Sequence, residues 1–134
     1  MGQYWLPVNL DKKEFIDPHV LGAGLKLWEQ LASHPGTGAA LVVLCAAMPE
    51  ARGGGDLKAN PDIVGRWAGD RIALVGDYAE RKDIPTEDAS VIYDQCCQGH
   101  YKDISLEVCT VIEAELGGSF AGEGWRKFRE EETA

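Results

Sequence analysis

Two carboxylates beside a short aliphatic run are the residues whose types and spacing best suit chemistry. Asp70 and Asp77 stand on either side of Ile72–Val75, and a carboxylate pair can bind a metal ion or act in general acid–base catalysis. If the seven steps between them are extended, at about 3.3 Å per residue, their Cα atoms lie about 23 Å apart. The spacing therefore favours separate roles. Each caps a turn, or Asp77 contributes to a cleft with partners from elsewhere.

The other candidate binding residues lie in the same stretch. An indole ring and guanidinium groups, including that of Arg66, suit an anionic or nucleotide-like ligand. The aliphatic run itself is typical of a buried, central strand that begins and ends abruptly at glycine–aspartate pairs. The predicted binding residues are Trp67, Asp70, Arg71, Asp77 and Tyr78.

Two further motifs meet only part of a chemical requirement. Cys97 and His100 are spaced as half of a zinc site, but the sequence has no second pair of ligands. As a nucleophile pair they lack any feature that lowers the thiol pKa. The glycine-rich run 52–56 can form a backbone nest for an anion, but it lacks the lysine of a phosphate-binding loop, which favours a flexible loop. We therefore predict no cofactor and no metal, with Cys97 and His100 as weak metal candidates.

Composition narrows the classes of partner. The 134 residues fit a single globular domain, 1–134, and carry a formal charge of −9. That charge argues against binding to a nucleic-acid backbone, for which Lys and Arg supply the affinity, and it suits a basic protein partner. The longest apolar run, Ala39–Met48, is too short to cross a bilayer, and the first residues lack a signal-peptide pattern. We expect a cytoplasmic protein with no membrane contact and reduced cysteines.

The first third of the chain predicts a hairpin followed by helices. Tyr4–Asn9 and Glu14–Ile16 alternate as strands around a turn, and Pro7, which cannot donate to a ladder, predicts an edge position there. Asp17 followed by proline is typical of a helix start. A helix is then expected from Gly24, with Trp28 as a core residue by its helical spacing.

The remaining elements are mostly helical in pattern. Residues 37–48 suit a buried helix or a central strand, and their alanine content favours the helix. Thr86 is expected to cap a helix that ends at Gly99, and Asp103 to cap a second helix, the two packing antiparallel. The segment 120–128, around a tryptophan, is expected to add a short strand or an aromatic plug.

Five segments of the first part of the chain form a distinctive set: MGQY at 1–4, VNLDKKE at 8–14, GLKLWE at 24–29, WAGDRI at 67–72 and GDY at 76–78. Together they resemble a family of small, uncharacterised proteins associated with bacteriophages. The resemblance implies an accessory protein in the cytoplasm of a bacterial host, and it assigns no catalytic residue.

These observations predict an α+β domain. A small, mainly antiparallel sheet, made of the hairpin and a strand at 71–75, is covered by three or four helices. The leading hypothesis is an accessory protein that binds a host or phage macromolecule. The alternative is a small enzyme or ligand-binding protein whose anionic or nucleotide-like ligand lies at the end of the central strand near Asp77.

Overall fold

The computed structural model describes residues 2–32, 36–48, 51–58 and 61–116. The prediction for 120–128 lies outside these ranges. Within these ranges there are four strands: β1 (Trp5–Asn9), β2 (Glu14–Phe15), β3 (Ile72–Gly76) and β4 (Lys102–Asp103). The α-helices are α1 (Leu27–Ala32), α2 (Gly36–Cys45), α3 (Ile92–Cys97) and α4 (Ser105–Leu116), and short 3-10 helices span Pro18–Leu21, Arg81–Asp83 and Ala89–Val91. The predicted α+β class is confirmed, and none of the helices in the described ranges has the length and apolar character needed to cross a membrane.

The four strands form one sheet in the order β3-β1-β2-β4. β1 runs antiparallel to both of its neighbours, whereas β4 runs parallel to β2, so the sheet is mixed. Among the described residues, β3 pairs with β1 alone and lies at an edge, which corrects the prediction of a central strand. The aliphatic run could not reveal this, because strand order depends on pairing with residues more than 60 positions away.

Pro7 lies within β1, which has neighbours on both sides, so β1 is not the predicted edge strand. Pro7 itself pairs with Leu74 of β3, whereas the strand pairing with β2 covers only Val8 and Asn9. On the other side its carbonyl accepts a hydrogen bond from the Ile16 amide at 3.0 Å, just beyond the end of β2. The proline is tolerated because the β2 side of the ladder ends at this point and requires no amide donor from it.

Alternation along the strands divides the core between the two faces of the sheet. Leu6, Val8 and Phe15 point to one face and pack with Ile92 and Cys96 of α3. The opposite face carries Ile16 and Ile72, which pack with α2, α4 and the segment that precedes β3. α3 and α4 therefore contribute to different core clusters, contrary to the predicted antiparallel helix pair, because β4 and the turn before it carry the chain from one face to the other.

Most of the turns and caps form where the sequence predicts them. Asn9 Oδ1 accepts from the amides of Asp11 and Lys12 at 3.0 and 2.8 Å, which closes the hairpin. Asp17 caps the first 3-10 helix through the His19 amide at 3.0 Å, and Asp103 accepts from the Ser105 amide at the start of α4. Residues 36–45 are helical, as favoured. These contacts are local, so residue type and position suffice to predict them.

Two local predictions fail. Asp88, not Thr86, caps the helical segment that leads into α3, through the Ser90 amide at 2.9 Å. Trp28 is 76% exposed rather than buried. Gln30 holds α1 against the sheet by donating to the Trp5 and Leu25 carbonyls at 2.8 and 3.0 Å. The face of α1 that carries Gln30 therefore lies against the sheet. Because residues two apart on a helix do not share a face, Trp28 points away from the core.

Candidate functional site

Trp67, a predicted binding residue, lies in the core, where it is fully buried. Its indole N–H donates to Glu14 Oε1 at 2.9 Å, and Arg66 Nε lies 3.0 Å from both oxygens of the same carboxylate. Burial acts to raise the pKa of Glu14, but these hydrogen bonds and the Arg66 charge outweigh it, so the pKa is lowered. Glu14 therefore fastens the segment before β3 to the sheet, and Trp67 is not available to a ligand at the surface.

Asp70 and Arg71 contact residues of the hairpin turn between β1 and β2. Asp70 accepts from Asn9 Nδ2 at 2.8 Å and pairs with Lys12. The bond to Lys12 makes the largest contribution to lowering the pKa of Asp70, and the bond to Asn9 the next. Arg71 Nε donates to Asp11 Oδ1 at 2.7 Å, and its Nη1 donates to Thr86 Oγ1 at 2.8 Å and to Glu87 Oε1 at 3.1 Å. Both side chains are engaged within the fold. The carboxylate partners of Asp70 are side chains of the hairpin turn, those of Asn9 and Lys12.

Asp77 and Tyr78 lie at the opposite end of β3. Both are exposed. Asp77 Oδ1 accepts from the Tyr4 amide at 2.9 Å, and the Asp77 amide donates to the Tyr4 carbonyl at the same distance. With Trp67 buried and with Asp70 and Arg71 at the far end of an extended strand, the structure does not bring the five predicted residues into one cleft.

Cys97 lines a cleft of about 570 Å³, and the histidine that lines the same cleft is His19 rather than the predicted His100. Nothing in the sequence links positions 19 and 97, which the fold places on one cleft. Burial first, then the charges of Asp94 and Asp17, raise the pKa of the Cys97 thiol, so it stays protonated at neutral pH and is a poor nucleophile. Within the described ranges, no group of three or more His, Cys, Asp or Glu side chains is arranged to hold a metal ion.

The glycine-rich loop binds a carboxylate of its own. Asp56 Oδ2 accepts from the Arg52 and Gly53 amides at 2.8 and 2.7 Å. Two of the amides that the sequence offers as an anion nest, those of Arg52 and Gly53, are therefore already occupied.

A groove between α1, α2 and β3, which we name the Trp28 groove, has an apolar lining and a volume of about 230 Å³. Its lining residues are Leu27, Trp28, Gln30, Thr37, Gly38, Leu41 and Leu74. Trp28 is 76% exposed, and Leu27 and Leu74 are each 41% exposed. Adjacent large apolar side chains that remain in contact with water indicate an interaction surface, whereas single ones do not.

Two buried oxygens at this groove lack hydrogen bonds. Gln30 Oε1 and Thr37 Oγ1 have no partner among the described residues, although Gln30 and Thr37 are almost fully buried. Buried polar atoms are nearly always paired, and an unpaired one costs about 1–3 kcal/mol. Within the described ranges, these two oxygens lie behind the lining of the Trp28 groove without a hydrogen bond.

A second depression, the edge groove, borders the other side of β3 and has a volume of about 340 Å³. Ala73, Val75, Asp83 and Ile84 line it, and it shares Leu74 with the Trp28 groove. The edge strand is therefore flanked by two depressions that meet at one exposed leucine.

Sequence reasoning missed both grooves because it assigned Trp28 to the core and β3 to the centre of the sheet. One signal was available: Gly24 and Pro35 leave room for only a short helix, which buries a single narrow face. Comparisons with protein-family models, curated proteins and solved structures give no match for this chain.

Proposed function

We propose that this protein acts by binding a protein partner through the Trp28 groove, as an accessory protein without catalysis of its own. The observation that carries the proposal is the 76% exposure of Trp28 beside two partly exposed leucines. Tryptophan is among the residues that most often dominate binding energy at protein interfaces. This surface has the composition of an interface centre and lies on two helices and a strand.

The area supports a useful affinity. A tryptophan side chain buries about 150–250 Å², and about three-quarters of it is in contact with water here. At about 25 cal/mol per Å², covering that portion contributes about 4 kcal/mol. Part of this gain is offset by the entropy lost on association, so Trp28 serves as an anchor within a larger contact.

Charge indicates the character of the partner. The formal charge of −9 favours a basic protein surface and disfavours a nucleic-acid backbone. The resemblance of the first part of the chain to bacteriophage-associated proteins supports a host or phage protein as partner, in the bacterial cytoplasm.

The alternative, a ligand or catalytic site near Asp77, has less support. The Asp77 carboxylate is exposed and accepts from the Tyr4 amide, and Asp70 and Arg71 are paired within the fold. Acid–base chemistry needs an ionisable group held beside a bound substrate, and an exposed carboxylate bonded to a backbone amide gives little support for that role.

Affinity purification of tagged variants from expressing or infected bacteria tests the proposal. Wild type should recover a stoichiometric protein, and Trp28→Ala should lose it. Gly38→Leu should also lose it, because Gly38 lines the groove with open space around its Cα, so the new side chain fills the groove while the helix gains a better helix former.

Leu106→Ala is the matched control, since it removes an exposed apolar side chain outside the Trp28 groove. It should retain the partner. Thermal melts confirm that each variant is folded. Equal recovery with Trp28→Ala and wild type, or purification without any partner combined with turnover of a nucleotide, would refute the proposal.

A further inference from the structure

The free edge of β3 is the feature of this molecule that the proposed function leaves unexplained. The Leu10 amide donates to the Arg71 carbonyl, and the Asp77 amide donates to the Tyr4 carbonyl, both at 2.9 Å. In an antiparallel ladder the bonding direction alternates, so residues 71, 73, 75 and 77 bond to β1. Residues 72, 74 and 76 direct their amides and carbonyls away from the sheet.

Only part of that outer row is occupied. The Gly76 carbonyl accepts from the Ala79 amide at 3.2 Å. Among the described residues, Ile72 and Leu74 have no backbone hydrogen bond on this side. Their two donors and two acceptors form a template for another strand.

Nothing in the strand blocks such pairing. Natural edge strands are protected by charged side chains, prolines or bulges, whereas β3 reads Ile-Ala-Leu-Val-Gly. Its side chain at position 74 is 41% exposed. An unprotected apolar edge on a folded domain is the arrangement that peptide-binding domains use for strand addition.

The two grooves are placed to receive the side chains of an added strand. Residues directly opposite one another in a ladder project to the same face, so a residue paired with Leu74 projects towards the Trp28 groove. Its two neighbours project to the other face, where Ala73, Val75 and Ile84 line the edge groove. Alternate pockets of this kind give sequence specificity to strand addition.

Charge selects the ends of the added strand. Asp77 follows β3 directly, and Asp83 lines the edge groove at the same end. Each uses one carboxylate oxygen to accept a backbone amide, and the second oxygen of each is a further acceptor. A Lys or Arg at this end of the partner strand complements them, whereas a second copy of this chain brings another formal charge of −9.

From these observations we infer that the partner binds as an extended peptide segment that adds antiparallel to β3. An apolar residue of the segment enters the Trp28 groove, and a basic residue at its amino end lies beside Asp77 and Asp83. This inference rests on the proposed function, since it specifies how that partner is held.

Hydrogen exchange with synthetic peptides tests the pairing. The probes are short peptides of alternating apolar residues with an amino-terminal lysine, varied at the position opposite Leu74, and matched peptides carry glutamate in place of lysine. Binding should slow exchange of the Ile72 and Leu74 amides at least tenfold, while Ala73 and Val75 exchange slowly in both states because they bond to β1. Glutamate peptides should bind more weakly. Absence of binding by the whole set, or binding without protection of positions 72 and 74, overturns the inference.

A pair of variants separates the backbone from the side chain. Leu74→Ala shortens the side chain and keeps the outward amide, and Leu74→Pro removes that amide while sparing the bonds to β1. Loss of one hydrogen bond lowers affinity about tenfold, so Leu74→Pro should bind the peptide about tenfold more weakly than Leu74→Ala. Equal affinities contradict strand addition. If Leu74→Pro fails to fold, peptides N-methylated at residues that face β3 make the same comparison.

The two proposals fail in different ways. If the cellular partner is lost with Trp28→Ala but retained by Leu74→Pro, the groove binds the partner without strand addition, and only this inference is overturned. If neither variant affects the partner, both proposals are overturned. Sedimentation of the free protein as a dimer that Leu74→Pro dissociates shows that a second copy occupies the edge, which also overturns this inference.

Discussion

Replacing Glu14 with glutamine tests whether one buried carboxylate joins the hairpin to the segment before β3. Glu14 is 3% exposed and accepts from both Arg66 and Trp67, residues more than 50 positions away. Glutamine keeps the size of the side chain but loses its charge and replaces one acceptor oxygen with a donor. That NH₂ group must then face either the guanidinium or the indole N–H, both of which are donors.

The expected loss is worked from the surroundings of the pair. Breaking a fully buried ion pair costs about 3–5 kcal/mol. The Arg66 side chain is 34% exposed, so water partly solvates the charge that remains, and the lower end, about 3 kcal/mol, applies. A domain of this kind is stable by about 5–15 kcal/mol, so Glu14→Gln should remain folded but melt about 10 °C lower.

Acidification provides an independent check that the ionised Glu14 carboxylate stabilises the folded state. The pKa of Glu14 is lowered from its ordinary value of 4.5. A carboxyl whose pKa is depressed by folding stabilises the folded state above its unfolded pKa and loses that contribution as pH falls through its folded pKa. The stability difference between wild type and Glu14→Gln should therefore be full at neutral pH and shrink progressively below pH 4.5.

Urea unfolding followed by circular dichroism measures both effects. Glu80→Gln is the control, because its carboxylate is 70% exposed, lies 3.8 Å from Lys82 and should contribute less than about 1 kcal/mol. If Glu14→Gln unfolds with the midpoint of wild type, or if the difference between them is the same at neutral and acid pH, the contacts of Glu14 with Arg66 and Trp67 do not join the hairpin to the segment before β3.

Three further predictions concern the turn, the glycines and the thiols. Asn9→Ala should lower the free energy of unfolding by about 2 kcal/mol in urea titrations, because the turn amides of Asp11 and Lys12 lose their acceptor; an unchanged midpoint would contradict this. Gly65→Ala should lower the melting temperature, since the backbone has a φ of +77° and an added Cβ would lie 2.6 Å from the Ala46 carbonyl oxygen, whereas Gly38→Ala in open space on α2 should raise it, and the opposite order would refute the geometry. Iodoacetamide should alkylate the exposed Cys97 slowly at neutral pH and faster as pH rises, because its thiol pKa is raised. Cys96 should react more slowly still, because burial raises its thiol pKa to about 12. Mass spectrometry that finds Cys96 modified first would contradict this order.

The features that could be predicted from the sequence are those that depend on neighbours along the chain. The hairpin turn at Asn9, the cap at Asp17 and the contact of Asp103 with the first residue of α4 each arise from a side chain that accepts from an amide two or three positions away. The composition of residues 36–45 likewise favours a helix, which forms there. Residue type and order decide such contacts, because the bond closes within a single turn of backbone.

The candidate site could not be predicted in the same way. Trp28 and Trp67 are each spaced or flanked in ways that fit either burial or exposure. Helical spacing assigned Trp28 to the core, and a position beside a turn assigned Trp67 to a binding site. In the structure, Gln30 bonds to the Trp5 carbonyl and Trp28 lies on another face of the helix, exposed to water. Trp67 is buried, with its indole N–H donating to Glu14.

The sequence by itself determined most of the turns and caps, the α+β class and the acidic character of this protein. The tertiary structure alone decided that β3 lies at an edge, that Trp67 is buried and that Trp28 remains exposed beside a groove. The reason is the range of the interactions: β1 selects β3 as its neighbour across more than 60 residues, and the face that a helix or strand buries is set by the elements that pack against it rather than by its own pattern.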